Sequence, residues 1–154
     1  HGFVASALFL IIGVVYDRHH TRMVKYYGGL VHTMPIYISI FLFFTMANIG
    51  LPGTSSFVGE FLILVGAFKT NTTIAFLGAT GMIIGGCYSL WLFNRVAYGN
   101  LKTQYFKFYI DLGKREFLVF LPLIIGTLVI GIYPSVFLDS IHFSVNLLVE
   151  LMYF

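Results

Sequence analysis

Residues 34–68 read as one apolar stretch, and no single straight helix can use all of it. A helix of that length rises about 50 Å at 1.5 Å per residue, against a hydrocarbon core of about 30 Å. The stretch must therefore break or fold back, and the means of breaking stand at "GLPGTSS", Gly50 to Ser56. Pro52 has no N–H and its ring obstructs the preceding turn, while Gly50 and Gly53 let the backbone leave helical geometry. Unpaired backbone costs several kcal/mol per group in lipid, so such a break persists only where protein or a water-filled cavity surrounds it. Thr54, Ser55 and Ser56 add hydroxyls that can satisfy freed backbone groups or hold water.

Composition makes lipid the relevant solvent. The 154 residues are 58% hydrophobic and 10% charged, with a mean hydropathy of +0.90; soluble domains run near 45–50% apolar and about 25% charged. Apolar runs approach the roughly 20 residues of a spanning helix, and the alternating ten-residue segments of an outer-membrane barrel are absent. The expected fold is an all-α integral membrane bundle of about four transmembrane helices, over 2–16, 34–68, 74–98 and 117–137, the second discontinuous at Gly50–Ser56. Pro122 falls in an early turn of the last segment and Pro134 near its end. The expected organisation is a transmembrane part, 1–137, followed by a short, mildly amphipathic interfacial helix or tail, 138–154. Position 1 is His and opens directly into apolar sequence without a signal-peptide start. The chain thus reads as the downstream part of something longer, either truncated or one product of a divided gene.

The net charge of +3 is spread through loops and gives no support for nucleic-acid binding. If 34–68 is one broken span, loops 17–33 and 95–116 share a side and carry Arg18, Arg22, Lys25, Arg95, Lys102, Lys107, Lys114 and Arg115, leaving Lys69 opposite. If it is a hairpin of two spans, the basic residues split nearly evenly. The positive-inside rule favours the single broken span, with the basic loops on the cytoplasmic or matrix side.

The residue most able to carry chemistry is Glu60, between Gly59 and Phe61, about two turns beyond Pro52. Intramembrane carboxylates are costly and usually face the bundle interior, where they pair or relay protons. Burial disfavours the charged form, while a nearby cation or water favours it, so a group pulled both ways can change protonation when its surroundings move. The alternative is a structural carboxylate bonded permanently to its neighbours. His1, at the head of the first span, can accept and donate a proton near neutral pH, or can serve only in helix packing. His19 and His20 are adjacent on a basic loop without metal-ligand spacing, so no metal site is expected. Asp17, Arg18 and Arg22 read as an interfacial ion-pair group near lipid headgroups, Asn48 as a helix-bridging amide, and His32, His142 and Glu150 as interfacial. Gly81 and Gly85, four apart, read as a helix-packing face. Cys87 is the only cysteine, which excludes an internal disulfide, and it reads as a small packed hydrophobe. No nucleophile with its base, phosphate loop or cysteine set for an iron–sulfur cluster is present, so any redox reaction belongs to another chain.

The run "HGFVASALFL", "DRHHTR", "YYGGLVHTMP" and "ANIGLPGTSSFVGEFLIL" resembles the C-terminal third of the subunit 4 branch of the antiporter-like membrane subunits of respiratory complex I, the proton-pumping NADH:ubiquinone oxidoreductase. The likeness covers nearly the whole chain and is strongest over residues 1–100. It implies two inverted five-helix repeats, each with a discontinuous helix, of which this chain carries the last spans. It also implies that Glu60 is the family's membrane glutamate at the outer, partner-facing end of the proton path, and that His1 lies in the central polar axis. Sister subunits usually carry Lys where Glu60 stands. The first repeat, with its Glu–Lys pair, and the central lysine of the second repeat are absent, so the chain alone is an incomplete channel. The implied partners are the other membrane-arm subunits, including the missing N-terminal portion of subunit 4 and neighbouring antiporter-like subunits, and membrane lipids. The complex uses NADH, FMN, iron–sulfur clusters and ubiquinone; none is expected on this chain. Two rival readings are a subunit of a multisubunit cation/proton antiporter and a structural assembly fragment without its own proton path. Seventeen Phe and ten Tyr, with alanine scarce for a helix bundle, point to an organellar gene; together with the resemblance this implies the mitochondrial inner membrane.

Overall fold

The computed structural model describes residues 1–105 and 110–152, with the backbone alone at Met152. Among these residues it has six α-helices: α1 (Gly2–His19), α2 (Pro35–Asn48), α3 (Ser55–Thr70), α4 (Thr72–Ala97), α5 (Lys114–Ile132) and α6 (Ser135–Met152). α1, α4 and α5 are long and apolar enough to cross a membrane. α2 and α3, with 14 and 16 residues, are each too short to do so alone.

α4 shows how the two short helices relate. Its C-terminal end meets the turn leading into α2, where the Gly29 N–H donates to the Tyr98 carbonyl at 3.0 Å. Midway along α4, a Cβ on Gly86 would sit 3.4 Å from Cγ2 of Ile49, which follows α2. Its N-terminal end is joined to α3 by Asn71 alone, whose Oδ1 caps α4 by accepting from Thr73 and Ile74 N–H at 3.0 and 3.3 Å. α2 and α3 therefore follow each other along the antiparallel α4 as one broken span, and the hairpin alternative is excluded. Gly86 lies about 21 Å from the start of α4 and about 17 Å from its end, so the break is near mid-depth.

The basic loops consequently share one end. Lys102 Nζ donates to the Lys25 carbonyl at 2.6 Å, and Arg18 Nε to the Ile110 carbonyl at 2.8 Å. Arg18 also forks onto Glu116, at 3.0 and 2.7 Å, instead of pairing with Asp17 as expected. Its planar guanidinium suits that two-point contact, and the neighbouring carbonyls at the start of α5 fix it there. Arg22 lies over the Tyr16 ring, 4.8 Å from its centroid. Lys107 falls outside the described residues. Most of the core lies in this half of the bundle, Ile11, Leu30, Met34, Phe44, Phe93 and Phe120 among it, while Val4 and Ala7 carry it to the far end of α1. Phe44 and Phe120 meet with ring centroids 6.5 Å apart.

Three sequence readings need correction. The last span does not reach Phe137: it ends at Ile132, and α6 starts at Ser135 after Tyr133 and Pro134. The residue before a proline is held away from helical backbone, which forces the stop there. Pro122 sits inside α5, as its ninth residue, rather than in its first turns. Cys87 is exposed on the outer side of α4 and is not packed within this chain.

Candidate functional site

The break is built from a specific helix ending. α2 closes with Gly50 at φ +85°, the Gly50 N–H donating to Ala47 and the Leu51 N–H to Met46, at 3.2 and 3.1 Å. This is the Schellman arrangement, which uses the left-handed freedom of glycine to satisfy orphan carbonyls, and Pro52 then prevents resumption of the helix. Thr54, 2% exposed, turns its hydroxyl back to the Leu51 carbonyl at 2.7 Å, where its own N–H also donates at 3.1 Å. Thr54 is thereby spent on the turn and does not cap α3. The first N–H groups of α3 are left at the break, near mid-membrane, with the positive end of the helix dipole.

Protein encloses much of this irregular backbone. A Cβ on Gly131 of α5 would collide with the backbone of Gly53 and Thr54, so α5 touches the break directly. Gly126 lets α5 approach the Phe3 ring of α1 in the same way, at 3.1 Å. Leu51 remains 45% exposed, so one side of the break is open to whatever adjoins the chain.

Two cavities flank the break. On the α4 side, a cavity of about 310 Å³ is lined by Glu60, Asn48, Ile49, Tyr88 and the glycines Gly78, Gly81, Gly85 and Gly86. Glu60, sixth residue of α3, turns its carboxylate back so that a Cβ on Gly50 would collide with it. On the other side, a cavity of about 570 Å³ is lined by His1, Ser6 and Ser55, with Phe3, Leu123 and Ile130 among its apolar walls. His1 and Ser55 thus line one recess, and Glu60 and Asn48 the other. Among the described residues, the buried Glu60 Oε2, Ser55 Oγ and Ser56 Oγ have no hydrogen-bond partner in the chain. No cation of the described residues pairs with Glu60; the ion pair found is Arg18–Glu116.

Gly81 and Gly85 do not act here as a close-packing face. A Cβ on Gly81 would meet nothing within 4 Å, and one on Gly85 only Tyr88 of its own helix. Their missing side chains leave the space beside Glu60, and Gly86 is the glycine that packs, against Ile49. Asn48 lines that space, and among the described residues its side chain makes no hydrogen bond to another helix. Two residues with structural roles escaped sequence reading. Asp111 accepts from Ile36 and Tyr37 N–H, at 3.0 and 3.1 Å, and caps α2 from 75 residues away. Glu116 accepts the Gly113 N–H at 2.8 Å as well as the Arg18 fork. A Glu three residues into a helix behind a glycine is a signal for the first bond, but nothing local signals the second.

A bundle of helices long and apolar enough to cross a membrane, one of its spans broken beside a carboxylate, defines an integral membrane protein. A family described as NADH:quinone oxidoreductase/Mrp antiporter, transmembrane region, matches residues 1–85, and the chain belongs to it. It is 61% identical over 150 residues to NADH-ubiquinone oxidoreductase chain 4 of Marchantia polymorpha, covering 97% of this chain and 30% of that one. It is 52% identical to NADH-quinone oxidoreductase subunit M of Rhodobacter capsulatus, covering 97% and 29%. A solved respiratory complex I from Thermus thermophilus with bound NADH contains a chain superposing with a TM-score of 0.77 at 30% identity, over 87% of this chain and 28% of that one. The likeness read from the sequence is borne out. The chain spans about 30% of the length of the chain 4 relatives it matches.

Proposed function

We propose that this chain forms the end of the proton-translocating part of a complex I membrane subunit, working inside an assembled NADH:ubiquinone oxidoreductase. The observation that carries the reading is the placement of Glu60: a carboxylate near mid-membrane, against a cavity, with one buried oxygen lacking any partner in the chain. A group so placed exchanges a proton when water or a neighbouring charge reaches it. Ser55 and Ser56 help hydrate the break, and His1 supplies a second titratable group in the open recess that Ser55 also lines. Glu60 and His1 act as proton-transfer residues, and Gly50, Pro52, Gly53, Thr54, Ser55 and Ser56 as the discontinuity that lets water reach mid-depth. Electron transfer, with NADH, FMN, iron–sulfur clusters and ubiquinone, takes place on other subunits. The basic end faces the matrix of a mitochondrial inner membrane, by the positive-inside rule. The exposed side of the break at Leu51 requires protein cover, which the remaining helices of the second repeat and an adjoining antiporter-like subunit provide.

The transmembrane part ends with α5, at Ile132, and α6 lies at the interface. Asp139, His142, Asn146 and Glu150 recur along one side of α6 at i, i+3, i+7 and i+11, as suits a helix lying between lipid and water.

Glu60→Gln in the assembled complex is expected to abolish or strongly reduce proton translocation while assembly stays largely intact. An unchanged ratio of protons moved to electrons transferred removes Glu60 from the path. The family description also includes Mrp antiporters, so a cation/proton antiporter subunit is the second reading. Copurification of the chain with flavin and iron–sulfur subunits decides for complex I.

A further inference from the structure

The cavity beside Glu60 is lined by two further polar side chains, Asn48 and Tyr88, and otherwise by Ile49, Met82 and glycines. Tyr88 is 61% exposed, so most of its ring lies outside the cavity, whereas Asn48 is partly buried at the end of α2. The Glu60 carboxylate lies against Gly50, two residues beyond Asn48, so acid and amide approach the same stretch of backbone from the two halves of the broken span. Among the described residues the Asn48 side chain makes no hydrogen bond, and the buried Glu60 Oε2 has no partner either. An amide and a carboxyl group facing one space near mid-membrane are costly if left dry. Room for water is ample: the cavity holds about 310 Å³, where one water needs about 15 Å³ and at least two polar partners.

A carboxyl group that exchanges protons needs a partner suited to both of its forms. The amide NH2 donates to the ionised form, the amide carbonyl accepts from the protonated form, and the amide itself does not titrate. A Lys or Arg in its place would hold the acid ionised, and no cation of the described residues pairs with Glu60. We infer that Asn48 is a positioning residue for Glu60, its amide hydrogen-bonded through cavity water to the carboxyl group in both protonation states. The inference rests on the proton-transfer role proposed for Glu60 and adds the neutral group that lets Glu60 change state without losing its hydrogen bonds.

The test uses the intact complex containing this chain, unaltered and as Asn48→Leu and Asn48→Gln. Difference infrared spectra between resting and turning-over states are compared, with the Glu60 carboxyl band assigned by its loss in Glu60→Gln. Asn48→Leu, similar in size but without donor or acceptor, should move the protonated Glu60 C=O band to higher frequency, as a carbonyl does on losing a hydrogen bond. It should also slow proton translocation about tenfold, the factor carried by one hydrogen bond to a charged group. Asn48→Gln, which keeps the amide, should leave the band near its place and restore most of the translocation. Since Asn48 makes no side-chain hydrogen bond among the described residues, the thermal unfolding midpoint should stay unchanged in both variants, where a merely structural amide would lower it. Asn48→Val is expected to behave as Asn48→Leu and replaces it where that variant does not assemble. A Glu60 band that responds to turnover yet stays in place in Asn48→Leu overturns the role of Asn48 and leaves that of Glu60 standing. A Glu60 band that ignores turnover in the unaltered complex overturns both.

Discussion

Gly50 meets two demands that no other residue meets together: a φ of +85° and a Glu60 carboxylate lying where its Cβ would be. Gly50→Ala should cost about 1–2 kcal/mol in backbone strain and also push Glu60 out of place. It should lower the thermal stability of the assembled complex and reduce proton translocation at a given rate of quinone reduction. Gly53, at φ +92° with open space beside it, provides the contrast. Gly53→Ala should show a similar thermal loss with much less loss of translocation. Arg18 tests geometry rather than charge: Arg18→Lys keeps the cation but loses the fork onto Glu116, so about 1–3 kcal/mol should be lost, read as a lower unfolding midpoint. The sequence made Gly50 and Glu60 legible because proline, glycine and an intramembrane carboxylate each carry a local physical cost. It pointed Arg18 to Asp17, the nearest acid, because a contact made 98 residues away leaves no trace in local spacing.

At the scale of elements, the broken span depends on contacts from distant parts of the chain. α2 starts with proline at N1 and is capped by Asp111 from the loop before α5. Asp111→Ala should cost about 0.5–2 kcal/mol, detectable as faster amide exchange in the first turn of α2 ahead of the other helices. α5 presses Gly131 on the Gly53 and Thr54 backbone, so Gly131→Leu should force α5 away and impair assembly far more than Gly126→Ala, which meets only the Phe3 ring. Helix existence and the break were readable from apolar length and from Gly-Leu-Pro-Gly. Helix ends were less so: apolar sequence continues past Ile132, and the stop is set by backbone sterics before Pro134, which hydropathy does not record. The Gly81 and Gly85 pair was read as packing because spacing does not say whether a neighbour fills the gap; here the gap belongs to the Glu60 cavity.

Across the whole molecule, packing is uneven. The buried core, with Phe44 and Phe120 in it, is built mainly from α1, α2, α4 and α5, whereas Ser56 is the buried residue of α3. The half containing Glu60 exposes Phe61, Leu62, Ile63 and Phe68, large apolar surface for lipid or neighbouring protein. The account's central claim is that Glu60 gains and loses a proton as the complex turns over. Difference infrared spectroscopy of the intact complex, resting against turning over, tests it directly, with the Glu60 carboxyl band assigned by its loss in Glu60→Gln. The account predicts a band that appears or vanishes with turnover; a Glu60 signal that stays fixed in one protonation state throughout would contradict it.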